Sequence, residues 1–434
     1  MMCLAVGAFF IGLQGGPVLT LDEAIKVASE NAFAIRAADT TIEKTLNQVS
    51  VAKGGLGPKL TVDGTYTRFD SASTATFGTQ TVVVSPIDSK QARLSLTWQV
   101  DVAGNVGRAI KAADALNDWA RAQRDTQLND LRLRVRQGYH GVLQAKELLT
   151  VAEQARKNTD ARLQHARLQL AAGTIARIDV LRFETQLAQA DTEVLAAQNR
   201  LRLAFQVLNN TLGRPIETAF DVKPIETLPS VDGKADGYIA EAVATRPDVR
   251  AQMRTVESLM YLRLAEQRGL SPTLNFSAVH QRNIDAQGLG TRDGSTTGTV
   301  MLSWPVFDSG VTKSRIHVAQ RDEEQAAIQL EQLTLGISLE VRQALSNLAD
   351  AQARLEVGRK QVALATESYR LAQIRYEAGE GIQLEITDAQ TELTRALAGE
   401  VAARYDTLNA YAALQRATGK DAPEGRASAQ GEGN

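Results

Sequence analysis

Cysteine is almost absent from this 434-residue chain. Cys3 stands alone, so no internal disulfide can form. Aromatic residues make up only 5%, few for a large compact core, and with a net charge of −2 there is no basic run to suggest nucleic acid as the main partner. No stretch approaches eighteen consecutive apolar residues, so the sequence predicts no transmembrane helix. The start, MMCLAVGAFFIGLQGG, carries an apolar run of signal-peptide length, and residues 1–16 are expected to be such a leader, although no Lys or Arg precedes the run. Only two residues precede Cys3, too few for the leader of a lipid-anchored cysteine. Chemistry-bearing patterns are missing too. His140, His165, His280 and His317 are scattered, and none has metal-ligand spacing to another histidine or a cysteine. Five methionines, two of them at the start, make no soft-metal ladder. There is no glycine-rich phosphate loop and no catalytic constellation, so neither a cofactor nor an enzymatic activity is expected.

What is present is repetition. Trp98 and Trp304 stand 206 positions apart, as do Gly104 and Gly310, Gly173 and Gly379, and Gly213 and Gly419. Val135-Arg136-Gln137 matches Val341-Arg342-Gln343 at the same offset. Upstream the offset becomes 214: Gly55-Leu56-x-Pro58-x-Leu60 matches Gly269-Leu270-x-Pro272-x-Leu274. The eight-residue change falls between Pro58 and Trp98. The chain therefore reads as two copies, 17–213 and 237–419, joined by the Pro-rich stretch 214–236, with a disordered tail over 420–434.

Each copy has the same order of parts. A helix comes first, about Leu21–Lys53 and Gly237–Arg268, ended by a Gly/Pro break. Period-two segments predict strands over 60–69 and 91–100, and over 273–282 and 296–305, each pair separated by a Ser/Thr/Gly-rich loop. In the first, Leu60, Val62, Gly64 and Tyr66 alternate with Thr61, Asp63, Thr65 and Thr67. Long helices follow, about Asn105–Ala172 and Val311–Ala378, each on the order of 100 Å long. Leu128, Val135, Val142 and Leu149 recur every seven residues, interleaved with Leu131, Gly138, Ala145 and Ala152. Val341, Leu348 and Leu355 do the same beside Ile337, Ala344, Ala351 and Gly358. A seven-residue stripe predicts side-by-side coiled-coil helices, and its small residues allow close backbone approach. Each long helix is interrupted by a glycine-centred break, near Gly173 and near Gly379, from which a second helix returns.

Two architectures fit these parts. In one, the alternating segments are loops on an all-helical coiled-coil scaffold, periplasmic or cytoplasmic and of adaptor type. In the other they are transmembrane β-strands, apolar toward lipid and hydroxyl-rich toward a wet lumen, with Trp98 and Trp304 as interfacial aromatics. Four strands cannot close a barrel alone, and open edges are not tolerated in lipid, so the second architecture requires oligomerisation.

The motifs favour the second. Trp304–Gly310 (WPVFDSG) and Trp98–Gly104 (WQVDVAG) resemble the strand-to-helix signatures of the TolC-type outer-membrane efflux proteins. Gly55–Leu60 and Gly269–Leu274 resemble that family's helix-to-strand junctions, and Arg246–Arg250 (RPDVR) its second-half opening. Arg375–Gly379 (RYEAG) with Asp388–Gln390 (DAQ) is similar to its helix-tip signature, and the likeness covers about residues 20–420.

The resemblance implies a mainly α chain with transmembrane β. Three copies would share a twelve-stranded barrel in the outer membrane, and their long helices would form a periplasmic α-barrel. It implies a passive channel for small molecules, metal ions or polypeptides, within a tripartite efflux or type I secretion system. Its partners would be a periplasmic adaptor protein and an inner-membrane transporter of the RND, MFS or ABC class. By position, Asp179, Glu385 and Asp388 correspond to acids near the family's periplasmic gate, where threefold symmetry makes rings of carboxylates. Asp179 and Glu385 also suit the first turn of a returning helix, where acids meet the helix dipole. The tip residues Ala172, Gly173, Thr174 and Ile175, through Ala176, and Ala378, Gly379, Glu380, Gly381 and Ile382 are expected to dock the adaptor. Well-known members carry a gate arginine where this chain has Gly381, so Arg177 or Arg182 is expected to substitute.

Overall fold

A computed structural model describes residues 17–225, 234–284 and 292–420. The expected leader over 1–16, nearly all of the tail and part of the 214–236 joint lie outside the described residues. In chain order the first copy holds β1 (Val18–Leu19), α1 (Leu21–Asn31), α2 (Phe33–Gly54), β2 (Lys59–Arg68), β3 (Ser73–Phe77), β4 (Gln80–Ser85), β5 (Asp88–Val100), α3 (Asn105–Ala171) and α4 (Arg177–Thr211). Then come β6 (Asp221–Val222), α5 (Ala235–Thr245), α6 (Pro247–Glu266), β7 (Thr273–Asn283), β8 (Gly294–Ser303), α7 (Val311–Glu377) and α8 (Gln383–Thr418). The chain divides into two compact units, one of Thr40–Ala122 and Arg250–Gln332, the other of Met1–Asp39, Gln123–Val249 and Leu333–Asn434.

In the first of these units, β2, β5, β7 and β8 pair in that order into one antiparallel sheet. Its register is what the alternation dictates. Leu60 faces Leu96, Leu96 faces Ala278, Trp98 faces Phe276 and Phe276 faces Val300, so the apolar residues share one face. Thr61, Ser95, Ser277 and Thr299 share the other. Strand formation removes the all-helical reading. One expectation is corrected here. The Ser/Thr/Gly-rich loop expected between the first two strands contains the hairpin β3–β4, and this hairpin falls where the repeat offset changes. Val82, Val83 and Val84 are β-branched residues that favour extended backbone.

The other unit is helical. The seven-residue stripe of α7 is buried from Ile337 through Val341, Leu348 and Ala351 to Leu355. In α3 the buried stripe runs through Leu128, Leu131, Val135 and Val142, while Leu149 is only half-buried. The core gathers these α3 residues with Ile35, Tyr139, Leu208, Leu212, Tyr405 and Leu408. Tyr139 reaches the short parallel pair β1–β6, its hydroxyl donating to the carbonyls of Leu19 (2.9 Å) and Lys223 (2.7 Å).

The helices expected over Leu21–Lys53 and Gly237–Arg268 are each broken in two. In the second copy the cause is local: Arg246 precedes Pro247, so it is driven to extended backbone (ψ 131°), and Pro247 starts a new helix. In the first copy Ala32 is extended (ψ 130°) with no proline beside it. Gly213, left-handed at the end of α4, lies against the break so closely that a Cβ there would sit 2.6 Å from the Asn31 carbonyl oxygen.

Candidate functional site: the two hairpin tips and the open sheet

The two tips reverse by one mechanism. Gly173 (φ 75°) and Gly379 (φ 76°) adopt the left-handed conformation that lets a helix end in a Schellman turn. Thr174 N–H donates to the Gln169 carbonyl and Gly173 N–H to Leu170. In the second tip, Glu380 N–H donates to Arg375 and Gly379 N–H to Tyr376. The chain restarts from Ala176 and Ile382, both extended N-caps without a side-chain bond. Asp179 and Glu385 then fall in the first turns of α4 and α8. There the uncapped N–H groups favour a carboxylate. Asp388 is one turn further on and exposed.

The structure brings the two tips together. Gln383 Nε2 donates to the Asp179 carbonyl at 3.4 Å and Gln186 Nε2 to Thr387 Oγ1 at 3.3 Å. Between α4 and α8 lies a cavity of about 320 Å³, lined by Arg182, Thr185, Gln186, Gln383, Leu384 and Thr387. Ala172, Thr174, Ala378, Glu380 and Ile382 are exposed, and Ile175 is half-buried against the apolar cluster of Leu163, Ala166, Val180 and Phe183.

Of the two arginines expected to replace the one missing at Gly381, Arg182 lies 3.8 Å from Asp179. Glu385 is met by a third, Arg375, at 3.4 Å. Sequence reasoning quoted Arg375 in the RYEAG motif without giving it a role. It also passed over the neighbouring Tyr376, whose phenol is pushed up by burial and further by the charge of Asp179, against the opposing Arg162. Arg162 lies over the Tyr369 ring at 5.1 Å and donates to its hydroxyl. Gly381 has a steric cause: its N–H shares the Arg375 carbonyl with Glu380, and a Cβ would meet Tyr376 N at 3.0 Å.

In the sheet, β2 and β8 are the two edges, and neither pairs with any other described strand. Leu60, Val62, Val300 and Leu302 on these edges are all exposed. Trp98 and Trp304 mark the end where strands meet helices. The Trp98 indole donates to the Leu56 carbonyl at 2.8 Å and that of Trp304 to Leu270 at 3.0 Å, the same contact in both copies. No described helix is long and apolar enough to cross a membrane. A sheet with one apolar face is the other element that can meet lipid.

Comparison with known proteins agrees. The outer membrane efflux protein family matches residues 24–214 and 238–420, one match to each copy. The chain is 26% identical over 312 residues to the outer membrane efflux protein BepC of Brucella suis, a match covering 69% of this chain and 66% of that one. It is 23% identical to the proteases secretion protein PrtF of Dickeya chrysanthemi, over 94% of this chain and 90% of that one. The Campylobacter jejuni CmeC outer membrane channel shares the fold, with a TM-score of 0.77 at 14% identity over 95% of this chain and 90% of that one. With both copies matched, an apolar-faced sheet in place and the coiled-coil scaffold set aside, the chain belongs to the outer membrane efflux protein family, channels of the outer membrane with a long helical periplasmic part.

Proposed function

We propose that three copies of the chain close into one tube and that the tube is a passive export conduit, not an enzyme. The observation that carries this reading is the four-stranded sheet with one apolar face and two open edges. Joining β8 of one copy to β2 of the next removes every edge, and three copies give twelve strands, within the range of closed barrels. The polar face, with Thr61, Ser95, Ser277 and Thr299, then lines the lumen.

The tips form the periplasmic entrance. Threefold symmetry turns Asp179, Glu385 and Asp388 into carboxylate rings that draw cations and resist anions. Arg375 on Glu385 and Arg182 on Asp179 hold these acids within each subunit and take the place of an arginine at 381. Exposed Ala172–Thr174 and Ala378–Ile382, with no large polar side chain except Glu380, offer the surface on which a periplasmic adaptor docks. The adaptor links the tube to an inner-membrane RND, MFS or ABC transporter, which supplies energy and selects cargo. PrtF is named for secretion of proteases and BepC for efflux, which supports a conduit whose cargo, whether small molecules, metal ions or polypeptides, is chosen elsewhere.

The full chain should be extracted only by detergent, as a heat-resistant trimer that conducts in planar bilayers. Monomeric protein needing no detergent rejects the channel. Glu385→Gln with Asp388→Asn should weaken cation preference and blunt block by divalent ions. Unchanged selectivity in that double variant removes the acids from the gate.

A further inference from the structure

The two ends of the sheet differ in charge. At the end where strands meet helices, the apolar face carries Trp98 and Phe276, their rings 5.9 Å apart. At the loop end, the same face carries basic side chains. Register fixes this: Tyr66 faces Lys90, Arg68 faces Asp88, and Ala92 faces Arg282. Counting by twos from Leu94 leads to Lys90, from Phe276 to Arg282, and from Val62 to Arg68. Arg68, Lys90 and Arg282 thus follow one another on a diagonal across three adjacent strands, and Asp88 on the same face pairs with Arg68. Neighbours on a diagonal of such a sheet are about 7–8 Å apart, so Lys90 has a cation, Arg68 or Arg282, on the strand to either side. Tyr66 and Arg68 both donate to Asp88 Oδ1, at 2.8 and 3.4 Å. Lys90, Arg282 and, one step nearer the Trp end, His280 are all exposed.

A cation on a lipid-facing surface is costly at the membrane centre and tolerated at the headgroups, where long side chains reach polar partners. Lys90 is eight residues from Trp98, about 27 Å along the strand and about 20 Å of membrane height at barrel tilt. That is close to the height of the apolar band, about 25 Å, so Lys90 falls at the headgroup level opposite the tryptophans, with Arg68 one step beyond it and Arg282 one step nearer the Trp end, where a long side chain still reaches the headgroups. Because the tryptophan end leads into the periplasmic helices, this level is the outer leaflet.

We infer that Arg68, Lys90 and Arg282 form a binding site for phosphorylated lipid headgroups of the outer leaflet, outside the barrel and repeated once per subunit. The inference rests on the orientation given by the channel reading. Guanidinium and ammonium groups in a row suit phosphate oxygens, with charge-assisted hydrogen bonds as the recognising contact. The site would fix the depth of the barrel and anchor it to the leaflet whose headgroups are most anionic.

The test uses the full chain purified in neutral detergent, with diphosphorylated lipid A or its dephosphorylated form added, and native mass spectrometry to count retained lipid. Wild type should retain the phosphorylated form, up to one per subunit, and little of the dephosphorylated one. Equal retention of the two overturns the proposal whatever the variants do. Arg282→Gln with Lys90→Gln should reduce retention about tenfold, and Arg282→Lys alone should largely keep it. Arg93→Gln, on the opposite face beside Asp63, should change nothing, and an equal loss there means bulk charge and rejects the site. Displacement of the lipid by millimolar inorganic phosphate would show a free-anion site instead. Heat resistance of the oligomer, read in parallel, reports the channel reading separately, so a stable oligomer without lipid selectivity rejects only the lipid site.

Discussion

At the break between α1 and α2, Ala32 and Ile35 are buried among Tyr139, Leu208 and Leu212. At the equivalent break between α5 and α6 sits a buried arginine. Arg246 donates to Asp248 through Nε (3.0 Å) and Nη2 (2.6 Å), and through Nη1 to Glu340 (2.7 Å) and the Ala417 carbonyl (3.0 Å). Arg416 extends the cluster to Asp130 and Glu340. The tips repeat the contrast. The first is filled by Phe183, Val180, Leu163 and Ile175. The second has glycine where the first has Ile175, and is held by two N–H groups on the Arg375 carbonyl and by the Arg375–Glu385 pair. At these two places, the joint and the tip, the first copy relies more on apolar packing and the second more on charge. The copies should therefore yield to different perturbations: the first to loss of volume, the second to acid and salt.

The largest effect is expected from Phe183→Ala. Phe183 is 1% exposed, and truncating such a residue costs about 3–5 kcal/mol. The helical unit has other cores, so the loss should stay local. Hydrogen exchange at Gly173 and Thr174 should accelerate strongly while Gly379 and Glu380 keep their protection. Equal acceleration at both tips would show that the Gln383–Asp179 and Gln186–Thr387 contacts make them one cooperative element, and the contrast would fail.

The contrast explains which features the sequence revealed. Strand faces, the seven-residue stripe and both tip glycines were legible because each follows from local periodicity or from a backbone angle only glycine adopts readily. The break at Pro247 was visible in principle, since proline dictates it, yet the helical pattern on either side concealed it. The break at Ala32 has no proline to signal it, and the residue packed against it, Gly213, is far away in sequence. Asp179 and Glu385 were placed correctly in first turns, but their partners were not. Arg375 meets Glu385 only once the Schellman turn folds the chain back, and the position of Gly381 is understood only from the carbonyl it shares. The β3–β4 hairpin was missed because a Ser/Thr/Gly-rich composition outweighed the run of valines.

Acid should break the second joint and spare the first. Burial works against charge on Asp248, but hydrogen bonds and the charge of Arg246 outweigh it and hold the carboxyl below its usual range. A carboxylate with a depressed folded pKa adds stability above its unfolded pKa, and that stability is lost as pH falls through the folded value. Below about pH 4, therefore, the α5–α6 joint should loosen. The two joints offer matched reporters: Arg246 N–H bonds the Ala242 carbonyl, and Ala32 N–H bonds that of Ala28. Exchange at Arg246, corrected for the intrinsic rate, should rise on acidification while exchange at Ala32 does not. Asp248→Asn should cost about 2 kcal/mol at neutral pH, less than full loss of a buried pair because Glu340 and Ala417 still hold the guanidinium, and should flatten the pH response.

Salt should produce the smallest effect, confined to the second tip. The Arg375–Glu385 pair is half-exposed on both sides, so its removal by Arg375→Gln is worth at most about 1 kcal/mol. At about 1 M salt the Debye length falls to about 3 Å, and wild type should approach the variant. The N–H groups of Glu380 and Gly381, both on the Arg375 carbonyl, report this directly. Their exchange should be salt-sensitive in wild type and salt-insensitive in Arg375→Gln. Thr174 N–H, held over an apolar cluster, should respond to neither change. If salt moves Thr174 equally, the Arg182–Asp179 contact at 3.8 Å carries more of the first tip than its apolar filling does. If salt moves neither, the shared carbonyl alone holds the second tip, and an entrance gated there would be indifferent to the ionic strength of the periplasm.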